Sequence, residues 1–577
     1  MLHLVKFLVL PICALTILIA SHRYSLAQAQ NSAAPPQQSS PAIRLNSIGY
    51  LPDASKRATV TTAMKPFQVV RLSDNQVVLS GTSSPSALNA DTQENLSTID
   101  FTDLREPGEY VIEMNDAETS HRFVVAPDVY NGPFYTAIRA MYLMRCGLAV
   151  TGNHNGKTYE HEACHLNDAY TDYIGDENGK RDAVGGWHDA GDYNKYIVNA
   201  GITVGMLLQA WEQNSDKLEQ LNLDLPESNN PIPDFLDEIR WEMEWVLKMQ
   251  LADGSVSHKV TTKKFGDFLA PEKEDTERYF TPASSSATAS FTAMCAATAR
   301  VFREYDPDFA DRCLSAAQKS YEYLASHPES QPARFRDFST GAYDTRDDDD
   351  RLWAAAELWE TTGNDVYLSD LESRIETLAE NTEGPIVDFN WDWGDVSNLA
   401  LFTYANSARQ GRSEKLLARV REDLVKVADD IVATTAAHGY ARPLGNRYYW
   451  GCNGTVARMS MVLHLADKIQ PNPAYRDAQL AALDYLLGRN FYGRSFVTGI
   501  GDMPPLHPHD RRNGINKFPE PWPGNLVGGG WPTGRDWHDN QEDYRTNEIA
   551  INWNGALIYA LAGFVEPTTF QQSKEAH

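Results

Sequence analysis

Two aspartates three positions apart, Asp189 and Asp192, sit in the turn Gly185-Gly186-Trp187-His188-Asp189-Ala190-Gly191-Asp192-Tyr193-Asn194-Lys195-Tyr196, directly ahead of an apolar helical run. Glycines allow close backbone approach or positive φ, and carboxylates at a helix mouth are favoured by its unpaired N–H groups and its dipole. An ordinary helix cap fits the same pattern. Far downstream, Asp543-Tyr544-Arg545-Thr546-Asn547-Glu548-Ile549-Ala550-Ile551-Asn552-Trp553-Asn554 puts Glu548 at the expected start of the last helix, where a first-turn acid is also favoured by the dipole. Taken together, Asp192 and Glu548 could supply what cleavage of a glycosidic bond requires. One carboxylic acid protonates the leaving oxygen and one carboxylate activates water.

These groups need a frame to hold them. Residues 1–29 run through Lys6, the apolar stretch from Phe7 to Ala20 and Ala27-Gln28-Ala29, the order of a secretory signal and too short for a comfortable membrane span. A Pro-rich polar linker covers 30–42. Residues 43–127 read as short alternating runs separated by turn signals, the pattern of a β-sandwich of about seven strands. From 128 to 567 the period is helical, with about twelve amphipathic segments and few strands, and 568–577 is a polar tail. Twelve helices joined by long aromatic and Gly/Pro-rich loops suit an α/α barrel with its loops gathered over one end.

The net charge of −27 disfavours nucleic acid and anionic membranes. Thirteen tryptophans and 26 tyrosines offer flat faces that can stack on sugar rings. Of these, Trp450, Trp531, Trp537 and Tyr544 are candidate platforms, although each would serve equally as core. Cys146, Cys164, Cys295, Cys313 and Cys452 follow the leader, an odd and scattered set that is no disulfide framework. Cys295, Cys313 and Cys452 are expected as buried apolar residues.

Several stretches together resemble glycoside hydrolase family 9, in the branch with an immunoglobulin-like domain ahead of the barrel. They are Ile43-Arg-Leu-Asn-Ser-Ile-Gly-Tyr-Leu-Pro, Gly186-Trp-His-Asp-Ala-Gly-Asp-Tyr, Pro282-Ala-Ser-Ser-Ser-Ala-Thr-Ala, Tyr449-Trp-Gly-Cys-Asn-Gly, Leu483-Asp-Tyr-Leu-Leu-Gly-Arg-Asn and the Glu548 segment. The resemblance implies a mainly α fold, an (α/α)6 barrel preceded by a small immunoglobulin-like β-sandwich. It also implies an endo-β-1,4-glucanase acting on cellulose or cello-oligosaccharides by inversion; with the leader read above, the chain is expected to be secreted, without a membrane anchor and as a monomer. Asp192 would be the base, Asp189 would help hold the water, and Glu548 would be the acid, with Asp192 and Glu548 carboxyls roughly 6.5–9.5 Å apart. An exo-acting cellodextrinase, cellobiohydrolase or glucosidase would keep this chemistry. A non-catalytic glucan binder would have lost an acid or base, yet all three carboxylates are present.

The loop Pro504-Pro-Leu-His-Pro-His-Asp-Arg-Arg512 resembles the family's sugar-binding His/Arg loop, which would make His509 and Arg511 ligands of sugar hydroxyls, with Asp510 where a second histidine is common. A salt-bridged surface loop is the alternative. Cys146, Cys164, His165 and His188 match the branch's structural zinc, a tetrahedral set with no open position for catalysis. The acidic run Asp344-Thr-Arg-Asp347-Asp348-Asp349-Asp350 suits calcium or a solvated helix cap, and the resemblance implies calcium on Asp347, Asp349 and Asp350 with Asp392 from a later loop. Asp234, Asp237 and Glu238 could form another oxygen-rich site or a purely structural cluster.

Overall fold

The computed structural model describes residues 40–115, 119–167, 169–171, 179–335, 337–514 and 520–567. The expected leader at 1–29, all but the end of the linker and the tail from 568 lie outside them.

The sandwich is built from β1 (Ile43–Arg44), β2 (Gly49–Tyr50), β3 (Arg57–Val60), β4 (Pro66–Arg71), β5 (Gln76–Thr82), β6 (Ala87–Asn89), β7 (Glu94–Asp100), β8 (Gly108–Met114) and β9 (Phe123–Val125). One sheet runs β1-β3-β7-β6 and the other β2-β9-β8-β4-β5. Alternation along β8 turns Tyr110, Ile112 and Met114 inward, as period-two patterning requires. Tyr50 meets Phe101 and Phe123 edge-on, at centroid separations of 5.1 and 5.7 Å. Nine strands stand where about seven were expected, because two-residue β1 and β2 are too short to show alternation.

The helical domain comprises α1 (Asn131–Tyr142), α2 (Ile197–Leu218), α3 (Asp234–Lys248), α4 (Ser285–Phe302), α5 (Pro307–Ser326), α6 (Asp348–Thr362), α7 (Asp365–Asn381), α8 (Ser397–Asn406), α9 (Glu414–Ala437), α10 (Cys452–Ile469), α11 (Pro473–Leu486), the single turn α12 (Tyr544–Asn547) and α13 (Ile551–Ala562). Helices α2, α4, α6, α8, α10 and α13 are buried over most or all of their circumference, which places them inside. Outer helices bury one stripe only, as in Leu368, Leu371 and Ile375 of α7. Inner helices α2, α4, α6 and α8 pack in succession, α9 contacts both α8 and α10, and α13 rests on both α10 and α2, as in an (α/α)6 barrel. All five described cysteines are buried and unbridged.

Two small sheets in the helical domain were not expected. A hairpin joins β10 (Val150–His154) to β11 (Lys157–His161). Five strands of two or three residues, β12 (Ala169–Tyr170), β13 (Lys180–Arg181), β14 (Lys195–Tyr196), β15 (Lys259–Thr261) and β16 (Tyr279–Phe280), form a sheet in the order β13-β12-β16-β15-β14. Such lengths lie below what alternation can reveal. β14 leads from the aspartate turn into α2, so this sheet anchors one end of the turn.

Polar contacts fasten the sandwich to the barrel. Asn46 Nδ2 donates to Asp484 Oδ1 (2.9 Å), and Arg489 Nε donates to Thr59 Oγ1 (3.0 Å). Asp91 accepts from His438 Nε2 (3.1 Å) and Tyr448 OH, so a sandwich carboxylate grips the segment that leads to Trp450. Burial alone would raise the Asp91 carboxyl, but these partners outweigh it and hold it down at about 2. A depressed native value makes this contribution complete above the ordinary aspartate range, with loss as pH falls towards 2. Asp91→Asn should therefore melt at a lower temperature than the wild type at pH 7, with the gap narrowing between about pH 4 and 2. Melting curves with a pH-independent gap would contradict that.

Candidate active site

The aspartate turn is shaped from beneath by buried charges. Gly186 has φ +75°, and a Cβ there would come within 2.8 Å of the Trp245 ring and 3.0 Å of the Glu242 carboxylate. That close approach lets Trp187 N–H donate to Glu242 Oε2 (2.6 Å) while Trp187 Nε1 donates to Glu238 Oε1 (2.8 Å). The two glutamates lie one turn apart on α3, hence on one face. Glu238 also pairs with Arg145 at 3.0 Å, both side chains fully buried. Asp234 accepts from Leu223 N and Ser228 Oγ, each at 2.6 Å, so the structural alternative holds for Asp234 and Glu238.

Asp189 is buried with both oxygens occupied, Oδ1 by Asn199 Nδ2 (2.7 Å) and Oδ2 by Tyr343 OH (2.8 Å). Asp192 Oδ2 accepts from Asn194 Nδ2 (2.5 Å) and Tyr196 OH (3.0 Å). The two tyrosine rings touch, with centroids 4.9 Å apart. Burial and the neighbouring Asp192 charge raise the Asp189 carboxyl well above the usual range.

Glu548 does not open the last helix. It lies in extended backbone (φ −72°, ψ 157°) between α12 and α13, because residues 548–550 pair with three other segments before α13 can begin. Glu548 bridges to His509, Ile549 to Val527 and Ala550 to Ala190, the last antiparallel. Ile551 N–H then donates to Asp189 O (2.9 Å). Asp192 and Glu548 each stand two residues from the Ala190–Ala550 bridge, on its opposite strands. Burial pushes the Glu548 carboxyl well up, the charges of Asp192 and Asp189 add to this, and Arg511 with the Gly191 backbone opposes it.

Cys146 Sγ lies 3.7 Å from His165 Nδ1, Cys164 Sγ 3.7 Å from His188 Nε2, and the two imidazole nitrogens 3.4 Å apart. The four ligand atoms fall within 4.8 Å of one another. Bonds of ~2.3 Å to sulfur and ~2.0–2.1 Å to nitrogen in a tetrahedron give edges of about 3.6 Å for S···N and 3.3 Å for N···N, so these side chains fit zinc. His165 Nε2 meets Glu274 Oε2 at 3.0 Å, the carboxylate that commonly orients a ligating imidazole.

The model of glycosyl hydrolase family 9 matches residues 130–561. The chain belongs to that family. Residues 38–119 match the cellulase N-terminal ig-like domain. Endoglucanase D of Acetivibrio thermocellus is 52% identical over 526 residues, covering 91% of this chain and 83% of that protein. Among solved structures, a metagenome-derived glycoside hydrolase family 9 endoglucanase superposes with a TM-score of 0.83 at 33% identity, covering 90% of this chain and 98% of its own. The Zn-binding triple mutant of family 9 endoglucanase J30 has the same TM-score at 31% identity, covering 90% and 100%.

Other positions carried by the family 9 resemblance fare unevenly. Trp450 and Tyr544 are 46% and 40% exposed, with ring centroids 5.4 Å apart, and Tyr544 lies 6.0 Å from the His509 ring. They form an open aromatic row beside Glu548. Trp537, by contrast, is 3% exposed, packs on Tyr492 and Phe496 and donates from Nε1 to Asn547 Oδ1 (3.1 Å); it is core, not platform. Trp531 is half-buried with the Arg545 guanidinium over its ring. His509 Nδ1–H donates to Gln541 O (2.8 Å), leaving Nε2 as the atom for a ligand. Arg511 is largely committed to the protein, donating to Gly191 O (2.6 Å) and Gly266 O (2.9 Å). Asp510 forms a buried pair with Arg512 (2.8 Å).

The four calcium candidates do not assemble. Asp347 pairs with Arg351 (2.7 Å) and Asp392 with Arg458 (2.8 Å), while Asp349 accepts from Val396 N–H (2.7 Å) and Asp350 from Ser290. Among the described residues the only cluster with metal-ligand geometry is the Cys/His one. Tyr196, Tyr343 and Asn199, which hold the aspartates, were not singled out from sequence; only Tyr196, inside the turn, carried a local signal.

The crossing itself depends on a missing side chain. A Cβ on Gly191 would fall 2.3 Å from His509 O, whereas one on Gly394 meets nothing within 4 Å. Gly191→Ala should cost about 1–3 kcal/mol by overpacking and Gly394→Ala almost nothing. Equal unfolding midpoints for the two variants would contradict this reading.

Proposed function

We propose that this family 9 chain is an exported, inverting endo-β-1,4-glucanase acting on internal bonds of cellulose and related β-glucans. The observation that carries it is the placement of Asp192 and Glu548 on opposite strands of the Ala190–Ala550 bridge, beside the open row Trp450–Tyr544–His509. The 52% identity to Endoglucanase D supports internal cleavage. The charged, apolar and small-residue order of residues 1–29 supports export, and among the described residues no helix is long and apolar enough to cross a membrane.

Glu548, whose hold on its proton is strengthened by burial and neighbouring negative charge, gives that proton to the glycosidic oxygen as the bond breaks. Asp192 takes a proton from the attacking water through Oδ1, because Oδ2 is held by Asn194 and Tyr196. Asp189, fixed by Asn199 and Tyr343, orients that water from the second side. Cys146, Cys164, His165 and His188 would hold one zinc, which when bound supplies a cross-link and no reactive position.

Asp192→Ala and Glu548→Gln should each lower kcat on cellohexaose by roughly 10²–10⁴ with little change in KM. Since Glu548 works in its protonated form, wild-type activity falls as pH rises through its elevated value. A dinitrophenyl cellobioside needs no proton on its leaving group, so Glu548→Gln should keep substantial turnover on it without that alkaline limb. Wild-type rates on cellohexaose in either variant would overturn the assignment. Metal analysis after dialysis should find about one zinc per chain, and Cys146→Ser should abolish it; a metal-free wild type would exclude the zinc.

A further inference from the structure

The segment from Thr262 to Glu274 is fastened at four points to the catalytic apparatus, although no part of the mechanism uses it. Thr262 N–H donates to Asn194 Oδ1 (2.9 Å), and Asn194 is the residue whose amide holds Asp192. Gly266 O accepts from Arg511 Nε (2.9 Å), and Leu269 O accepts from Tyr193 OH (2.5 Å). At the far end Glu274, itself nearly buried, meets Nε2 of the zinc-fitting His165 at 3.0 Å.

Between these anchors the segment carries two phenylalanine rings beside His509 and Arg511. Phe268 stands edge-on to His509 with centroids 5.2 Å apart. The Arg511 guanidinium lies between Phe268 and Phe265, 5.3 Å from each centroid. Phe265 remains 47% exposed and Leu269 42%. The edge-to-face row Trp450–Tyr544–His509 therefore continues through Phe268 and Arg511 to the exposed ring of Phe265. Large apolar side chains left open in this way, on backbone held by hydrogen bonds, mark a contact surface. Flat rings of this kind suit the apolar face of a β-linked glucose unit.

We propose that Phe265 is a sugar-stacking face for the part of the glucan chain beyond His509, and that Glu274 is a positioning residue that sets the segment by gripping His165. The inference rests on the glucanase reading. It assigns chain-length preference to residues 262–274 and links the Cys/His centre to substrate binding through one carboxylate.

The test is steady-state kinetics of the full chain on cellotriose and cellohexaose, with zinc content measured on every preparation. Phe265→Ala should raise KM for cellohexaose roughly three- to tenfold with kcat unchanged, and leave cellotriose unaffected, as expected when uniform binding is lost. Glu274→Ala should raise the cellohexaose KM in the same way, and Glu274→Gln, whose amide oxygen still accepts from His165 Nε2, should restore most of it. Because both act through one surface, the double Phe265→Ala/Glu274→Ala variant should be no worse than Phe265→Ala alone. Unchanged cellohexaose KM in Phe265→Ala overturns the stacking face. Additive losses in the double variant, or loss of zinc and kcat without a KM effect in Glu274→Ala, overturn the positioning role. A wild type that turns over neither oligosaccharide overturns the glucanase reading and this inference with it.

Discussion

Everything in the site hangs on one short antiparallel crossing, where Ala190 meets Ala550 and the amide of Ile551 closes on Asp189. Asp192 leads into the first inner helix and Glu548 precedes the last. They can face one another only because α13 packs on α2 to close the ring. A barrel that failed to close would leave two acidic turns far apart, each a plain helix approach. The crossing is tight enough to exclude a Cβ at Gly191, and the His509 segment is bonded into the same layer through Asn547 and Gly191. Local precision at the carboxylates is thus a consequence of global topology.

Electrostatics then separates roles among three crowded acids. Like charges and burial favour a proton on Glu548 and on Asp189, whereas Asp192 is fixed by an amide and a phenol on the same oxygen. Beneath them the turn is supported by the buried Glu238–Arg145 ion pair and by Glu242 and Lys195 bonded to backbone groups of the turn. Such pairs add little net stability but are costly to break from one side, which makes the turn stiff. With zinc bound, the Cys/His set would add a further tether beside it, since His188 is the neighbour of Asp189 in the chain.

Long amphipathic helices were legible because burial imposes a period over many residues, and the expected number, about twelve, is that of α1 to α11 together with α13. The Gly185–Tyr196 turn was legible because its residue types are dense and local. Glu548 was expected at the start of a helix but lies outside one, since three non-local pairings hold residues 548–550 extended and nothing in the local text announces them. Trp537 could not be told from a platform, because exposure depends on what packs against it. The acidic run before α6 looked like an oxygen cage with Asp392, yet Arg351, one turn on, pairs with Asp347 and Arg458 of α10 pairs with Asp392. Tyr343, Phe265 and Phe268 gain meaning only from the loops that fold over the barrel mouth.

If water attacks from the Asp192 side while Glu548 protonates the opposite side of the scissile bond, the anomeric carbon changes hand in one step. Proton NMR of cellohexaose during the first minutes of hydrolysis, before mutarotation blurs the signal, reads this directly. The new reducing end should appear as the α-anomer and decay towards equilibrium. An initial β-anomer would mean a double displacement, and Asp192 and Glu548 could not then hold the roles their positions assign.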